Sequence, residues 1–249
     1  MKRLELIGLE SIGEVSPDDS IAQLVCAASA REGIALADGD VLVIAHKIVS
    51  KAEGRLVDLA GIAPTSRAAE LAQQLDKDAA LVQVILDQSR SIIRAGGRAL
   101  VVETRHGFIC ANAGVDQSNV GNRHVALLPE DPDGSARRIR DDIRHHSGKN
   151  LAVIISDSFG RPWRVGTVDV AIGVAGMRAI KDERGLSDRY GYELKAAVAA
   201  IADEIAAAAE LVMGKRDGVP IVLVRGCEFT QAEGSARELL RPEAEDLFR

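Results

Sequence analysis

The sequence has few aromatic residues and no long uncharged apolar run. Only 3% of its 249 residues are aromatic, which argues against the stacking platforms that bind single-stranded nucleic acids. A formal net charge of -6 also argues against broad nucleic-acid binding. No segment has the length of a membrane span, and the N-terminal MKRLE leads into no apolar signal core. These features predict a cytoplasmic protein with no nucleic-acid partner and no membrane partner.

Cysteine is also scarce. Cys26, Cys110 and Cys227 are far apart in apolar surroundings, a pattern that fits reduced core thiols. Their spacing offers no zinc-binding pair. The composition is 47% hydrophobic and 27% charged, as in an ordinary globular chain long enough for one large core or two subdomains.

Two polar segments follow apolar, β-prone runs. They are residues 112–119, NAGVDQSN, and residues 156–164, SDSFGRPWR. Strand ends often present functional residues. Asp116 beside amides and Asp157 beside a hydroxyl are hard oxygen ligands, which suit Mg²⁺ or Mn²⁺ holding a phosphate. The alternative is that both are turn acids, which are common where strands stop.

A third segment, residues 46–54, HKIVSKAEG, follows a predicted buried strand at residues 41–45. Its lysines, serine and glycine suit a phosphate-contacting loop. They equally suit a solvated edge strand whose lysines prevent aggregation. His46 alone is as compatible with a hydrogen-bonded structural residue as with a ligand.

Other patterns predict the surrounding elements. Ser16 with Pro17 predicts the start of a helix. Apolar periodicity predicts a helix over residues 79–93, and an alanine-rich run predicts another over residues 192–213. Strands are predicted at residues 150–156 and 167–175, the latter with residues 177–181 as a hairpin partner.

Five segments taken in order resemble one family. They are residues 8–11 (GLES), 47–54 (KIVSKAEG), 112–119, 156–164 and 225–229 (RGCEF). Together they resemble the coenzyme F420-0:L-glutamate ligase family, the F420 γ-glutamyl ligases, over residues 4–230. The resemblance implies an α+β fold with mixed and antiparallel sheets and packed helices, in two intertwined subdomains. It further implies one domain over residues 1–249, without the nitroreductase-like domain fused to some relatives.

The same resemblance implies a reaction. It is the GTP-dependent ligation of L-glutamate to the lactyl carboxylate of coenzyme F420-0 through an acyl phosphate, followed by γ-linked additions. Two divalent ions, Mg²⁺ or Mn²⁺, are implied as cofactors, and K⁺ is a further candidate. The partners implied are GTP, L-glutamate, F420-0 and a second copy of the chain in a homodimer.

Site residues follow by position in the matching segments. Asp116 and Asp157 correspond to metal ligands, and Ser158 to a ligand of a second metal. Arg161 and Arg164 are candidates for holding substrate anions. The positions that correspond to nucleotide contacts are Gly8, Leu9, Glu10, Ser11, His46, Lys51 and Asn119. His46 stands where the family pattern has a small polar residue or Gln.

The sequence contains no Gly-x4-Gly-Lys-Ser/Thr motif. A nucleotide ligase without this loop needs another phosphate cradle, for which the segment around Lys51 is the candidate. Two other functions use the same residues: a metal-dependent phosphohydrolase and a nucleotide-binding regulatory protein.

Overall fold

The computed structural model describes residues 2–97 and 99–246. The strands are β1 (Glu5–Gly8), β2 (Val41–Ala45), β3 (Leu56–Asp58), β4 (Ser89–Gly96), β5 (Ala99–Thr104), β6 (Ile109–Ala111), β7 (His124–Ala126), β8 (Ala152–Arg161), β9 (Arg164–Ala175), β10 (Lys181–Asp182), β11 (Val198–Ala199) and β12 (Ile221–Arg225). The α-helices are α1 (Ile21–Glu32), α2 (His46–Ala52), α3 (Ser66–Leu75), α4 (Ala79–Asp87), α5 (Pro132–Ser147) and α6 (Ile201–Met213). Short 3₁₀ turns lie at Leu59–Gly61, Asn112–Gly114, Ala236–Leu239 and Glu243–Glu245.

A five-stranded mixed sheet organises the larger core. Its order is β1-β12-β2-β8-β9, and β2 and β8 are parallel whereas the other neighbours are antiparallel. The first four residues of β2 and of β12 are fully buried, as expected for the continuous apolar runs of a covered sheet. Helices α5 and α6 both pack on β9, and α1 packs on α5.

A smaller core lies beside the first. It contains buried apolar residues of α3 and α4 together with Leu100 and Val102 of β5. The sheet β4-β5-β6 and the pair β3-β7 belong to this part of the chain. The α+β class with mixed and antiparallel sheets is therefore confirmed. The structure contains two separate apolar clusters; the division into two intertwined subdomains stays a prediction.

The predicted helix start at Ser16 is wrong by one turn. Asp18 has a left-handed backbone with φ of 69°, and the Ser16 amide donates to Asp19 Oδ2 at 2.7 Å, which closes a separate turn. Ser20 caps α1 instead by accepting from the Gln23 amide at 3.3 Å. The predicted end is confirmed, because Gly33 closes the helix with φ of 70°.

Three longer assignments also need correction. Residues 79–93 divide into α4 and β4, because Ile92 pairs with Val102 of β5 and the mixed apolar run could satisfy either period. Helix α6 begins only at Ile201, since the residues just before it form β11, paired with β10. Residues 177–181 are not the hairpin partner of β9, which pairs with β8.

Residues 46–54 form neither a loop nor an edge strand. They start with α2, which begins directly at the end of β2 without a side-chain cap. The buried side chains of α2 include the apolar Ile48 and Val49 and the polar Ser50 and Lys51. Packing, rather than capping chemistry, therefore determines this helix.

Some expectations fall partly on undescribed positions. Arg98 opens the apolar run expected before residue 112, and residues 247–249 end the predicted domain; these positions lie outside the described residues. Among the residues that are described, no helix combines the length and apolarity needed to cross a bilayer.

The motif residue Arg225 has a structural contact. Its Nε and a terminal nitrogen donate to both carboxylate oxygens of Asp40 at 2.8 and 2.7 Å, and Asp40 is only 2% exposed. Another bond joins Arg225 to the carbonyl of Ala35 at 2.7 Å. This bidentate pair connects the end of β12 to the turn before β2.

We expect Arg225→Ala to lower the free energy of unfolding by about 3 kcal/mol, because the substitution leaves the Asp40 carboxylate buried and unpaired. This value is the lower end of the usual range, since the Arg225 side chain is 34% exposed. Urea unfolding would measure the loss. Lys2→Ala is the control, because it breaks an exposed pair with Glu228 and should cost little; equal stabilities for both variants would contradict the assignment.

Candidate functional site

A cavity of about 340 Å³ opens where β2, β8 and α2 meet. Its walls come from parts of the chain far apart in sequence, including residues 12–15, 45–48, 156–158, 213–216 and 218–220. Among the predicted site residues, the cavity brings together Asp116, Asp157, Ser158, His46, Lys51 and Asn119.

The β8–β9 hairpin supplies one wall. A register shift separates the pairs Ile155–Gly173 and Ser156–Ala171, so an irregularity lies where the polar residues begin; such bulges often occur next to active sites. Asp157 is thus inside a long hairpin rather than at a strand end. Its side chain is only 11% exposed, and Oδ1 accepts from the Ser158 amide at 2.7 Å.

The start of α2 supplies the neighbouring part of the wall. Parallel pairing places Ala45 opposite Ser156, which brings the next residues of the two segments together. His46 Nε2 lies 3.3 Å from Asp157 Oδ1. The alignment is poor for a hydrogen bond, and this nitrogen has no such partner within the described part of the chain. On its other side, Nδ1 lies 3.4 Å from Ser50 Oγ.

Asp116 is held by its own backbone. Its N–H and C=O form a two-bond bridge to Ala126 at 3.0 and 2.8 Å. A few residues before it, Asn112 and Ala113 both have positive φ, 54° and 56°, a conformation that Asn adopts readily but that is strained for Ala. The turn therefore stores strain shortly before a predicted ligand.

Lys47 contacts the Asp116 carboxylate at 3.0 Å and Ser118 Oγ at 2.7 Å. Burial alone would raise the pKa of Asp116, but the hydrogen bond from the Ser118 amide and the Lys47 charge together lower it below its usual value. Asp116 is therefore held as an anion, the form that would bind a cation.

Two further lysines reach the cavity. Lys51 has a side chain only 9% exposed and forms an ion pair with Glu14. Lys215, in the loop after α6, donates to Ser158 Oγ and lies 3.8 Å from Asp169 Oδ1. Arg216 is next to it in the lining. These cations are groups that bind phosphates, and they line the cavity together with the carboxylates of Glu14, Asp116, Asp157, Asp169 and Glu210.

The predicted metal ligands fit a hard divalent cation. Asp116, Asp157 and Ser158 offer only oxygen ligands. Lys47 contacts Asp116 and Lys215 contacts Ser158, so an ammonium group lies where a metal cation would be expected. Over residues 2–97 and 99–246, no three His, Cys, Asp or Glu side chains are grouped closely enough to hold an ion. Waters and substrate phosphates would have to complete the coordination, as is usual for Mg²⁺.

Other predicted residues lie outside the cavity. Leu9 is fully buried in the larger core, and the Ser11 amide donates to Glu32 at 2.7 Å. None of the residues 8–11 lines the cavity, whereas residues 12–15 do. A Cβ at Gly8 would lie 2.7 Å from Val219, so this glycine allows the 214–220 loop to approach. The nucleotide role of residues 8–11 stays a prediction.

Arg161 and Arg164 also lie apart from the lining. They are cross-strand partners at the tip of the β8–β9 hairpin, where Arg161 donates to the Val165 carbonyl at 3.3 Å. Their role as substrate contacts likewise stays a prediction.

The sequence did not single out several lining residues. They are Glu14, Asp169, Glu210, Lys215 and Arg216. Lys47, by contrast, belongs to the lysine segment after β2 that the sequence predicts to contact phosphate. Asp169 has no sequence signal, since it is one acid in a β-branched run, and only cross-strand pairing with Ser158 reveals it.

The thiol nearest the site is not a nucleophile. Burial, and secondarily the negative charge of Asp157, raises the pKa of Cys110 to about 12. A thiol with this pKa stays protonated at neutral pH. All three cysteines are free, as predicted, but only Cys110 is buried, whereas Cys26 and Cys227 are partly exposed.

Comparisons with known proteins point to one family. A family model described as F420-0:Gamma-glutamyl ligase matches residues 10–226. A protein named coenzyme F420:L-glutamate ligase from Methanothermobacter thermautotrophicus is 48% identical over 249 residues, covering 99% of each chain. Its namesake from Methanocaldococcus jannaschii is 43% identical over 250 residues, covering 100% of this chain and 98% of the relative.

A third relative with the same name, from Methanopyrus kandleri, is 46% identical over 252 residues and covers 99% of this chain and 97% of its own. The similarity therefore extends over the whole chain and not over isolated motifs. The resemblance seen in the sequence is confirmed, and the chain belongs to the F420-0:gamma-glutamyl ligase family.

Proposed function

We propose that this protein is a coenzyme F420-0:L-glutamate ligase that uses GTP. The observation that carries the proposal is that Asp116, Asp157, Ser158 and Lys51, from separate segments, line one cavity. Family membership and the names of the full-length relatives support the same conclusion.

The reaction would proceed in two steps. A carboxylate is a poor electrophile, so the lactyl carboxylate of F420-0 first attacks the γ-phosphorus of GTP and gives an acyl phosphate and GDP. The glutamate amine then attacks the acyl carbon, loses a proton and displaces inorganic phosphate, which leaves the amide. Phosphoryl transfer depends mainly on positioning and on charge around the phosphates.

Side chains of this chain would supply the positioning and the charge. Phosphate oxygens would be bound by Lys51 and Lys215 as point charges and by Arg216 through paired donors. Asp116 and Asp157 would hold one Mg²⁺ or Mn²⁺, and Ser158 would reach a second. When bound, a divalent ion supplies Lewis-acid stabilisation of phosphate charge. Further γ-linked additions would use the same cavity with the first product as acceptor.

The decisive assay offers GTP, Mn²⁺ and L-glutamate with and without F420-0, followed by mass spectrometry. A ligase gives F420 species heavier by glutamate residues and releases phosphate only with the acceptor. Phosphate release that is independent of F420-0 would favour the phosphohydrolase, and binding of GTP without turnover would favour the regulatory protein. Matched reactions with ATP test the nucleotide preference.

We also propose that the active form is a homodimer. The α6 face offers no support, because Ala202, Ile205 and Ala206 are already buried within the chain. The hairpin tip offers more, since Trp163 and Val165 are two residues apart and 83% and 101% exposed, and neighbouring exposed apolar side chains that form a patch mark contact surfaces. Sedimentation at assay concentration should give a dimer, and Val165→Lys should shift it towards monomer. A fully active wild-type monomer would contradict the proposal.

A further inference from the structure

Asp169 is a buried carboxylate at the site to which neither the motifs nor the proposed reaction gives a role. It lies on β9, is 5% exposed and lines the cavity. Its Oδ1 accepts from Ser158 Oγ at 2.5 Å, and its Oδ2 accepts from Ser156 Oγ at 3.0 Å. The carboxylate is therefore joined to the hydroxyls on both sides of Asp157.

The strand geometry explains this arrangement. Ser156 and Ser158 are two residues apart on β8, so their side chains share one face, while that of Asp157 has the other. Asp169 is the direct cross-strand partner of Ser158. The short bond between them thus follows from the register of the hairpin and not from a chance rotamer.

The direction of the hydrogen bonds has a chemical consequence. An ionised carboxylate only accepts, so each serine must donate its single proton to Asp169. The lone pairs of Ser158 Oγ are then available to a cation. A hydroxyl is a weak neutral ligand, and donation to a carboxylate increases the electron density on its oxygen, as the partners of metal ligands commonly do.

The ammonium group of Lys215 lies beside the Ser158 hydroxyl. Lys215 Nζ donates to Ser158 Oγ and lies 3.8 Å from Asp169, so the lone pairs of Ser158 already face a positive charge. We propose that Asp169 is a positioning residue that fixes the Ser158 hydroxyl with its lone pairs towards a divalent cation. The inference rests on the proposed function, in which Ser158 is a ligand of a second divalent cation beside the one assigned to Asp116 and Asp157.

Asp169→Asn tests the direction of these bonds with little change in volume. An amide accepts through its oxygen but donates through its nitrogen, so Asn cannot accept from both serines. We expect Mn²⁺ affinity, measured by electron paramagnetic resonance with a non-hydrolysable GTP analogue present, to fall by about 10-fold or more. Asp203→Asn is the matched control. Asp203 is a half-buried carboxylate on α6 that accepts from the amide of Ala171, on the strand of Asp169, at 2.9 Å, and it is outside the cavity lining. The Asp203→Asn variant should bind Mn²⁺ as the wild type does.

A double variant separates positioning from general destabilisation. If Asp169 acts through Ser158, adding Asp169→Asn to Ser158→Ala should weaken Mn²⁺ binding no further. Additive losses in the double variant, or wild-type affinity in Asp169→Asn, would overturn the inference. If Asp169→Asn does not fold, Ser156→Ala serves instead: it removes one of the two bonds that hold the carboxylate and should weaken Mn²⁺ severalfold, and unchanged affinity would overturn the inference.

Ser158→Ala alone distinguishes this inference from its premise. If Ser158→Ala loses Mn²⁺ affinity and Asp169→Asn does not, the metal site stands and only the role of Asp169 fails. If Ser158→Ala binds Mn²⁺ as the wild type does, the metal site at Ser158 itself fails and the role of Asp169 with it.

Discussion

Asp157→Asn is expected to reduce ligation by about 10³-fold or more while leaving the fold intact. A catalytic metal contributes several kcal/mol to the stability of a transition state, and each 1.4 kcal/mol is about tenfold in rate. Asn keeps the size of the side chain and can still accept from the Ser158 amide, which now donates to Asp157 at 2.7 Å. The rate of product formation at limiting Mn²⁺ measures the loss, and circular dichroism measures the fold.

The control is Asp58→Asn, since Asp58 is an exposed acid that caps a 3₁₀ turn by accepting from the Ala60 amide at 2.9 Å. It should leave the rate unchanged. Titration of Mn²⁺ with and without a non-hydrolysable GTP analogue adds a binding readout, because a metal that bridges protein and phosphate must bind more tightly with nucleotide, and nucleotide equally with metal. Near-normal turnover of folded Asp157→Asn, or identical Mn²⁺ affinity in both titrations, would exclude the metal-bridged mechanism.

Lys51→Ala is expected to weaken GTP binding by about 10-fold or more, since a hydrogen bond to a charged group contributes about 1.5–3 kcal/mol. Lys51 is buried on α2 and directs its ammonium group into the cavity, where Glu14 is its partner. F420-0 presents less phosphate charge than GTP, so its affinity should fall less. Calorimetry with each ligand separates the two effects.

Glu14→Gln is the companion variant. The Glu14 carboxylate pairs with the Lys51 ammonium group, which a phosphate would also bind, so removal of the Glu14 charge should tighten GTP binding. Lys2→Ala, which removes a lysine from an exposed ion pair, should change nothing. Unchanged GTP affinity in Lys51→Ala would mean that the Lys51–Glu14 pair is structural only.

The sequence predicts those parts of the fold whose signals are local. The buried run at residues 41–45 and the Gly33 helix end need no distant partner, and both are observed. Residues 89–93 show the limit, because their apolar spacing suits either period and pairing with β5 decides it. Helix α2 was missed for a related reason, since its stability comes from packing beside β2 and not from a cap.

The site divides in the same way. Asp116, Asp157 and Lys51 stand in recognisable segments, and the cavity brings them together. Lys215 and Asp169 reach it only because a loop and a neighbouring strand fold towards Ser158. Contacts of this kind depend on register and chain path, which no local pattern contains.

The two apolar cores have a thermodynamic consequence for any ligand of this cavity. Asp116 is backbone-paired to Ala126, next to Val125 and Leu127 of the smaller core, whereas Asp157 continues β8 from the larger one. A cation held by both carboxylates would act as a removable crosslink. Opening either core would release it, so its binding free energy would add to the cost of opening each core separately. The ligand would thereby make two units unfold as one, and the cooperativity of unfolding would depend on its concentration.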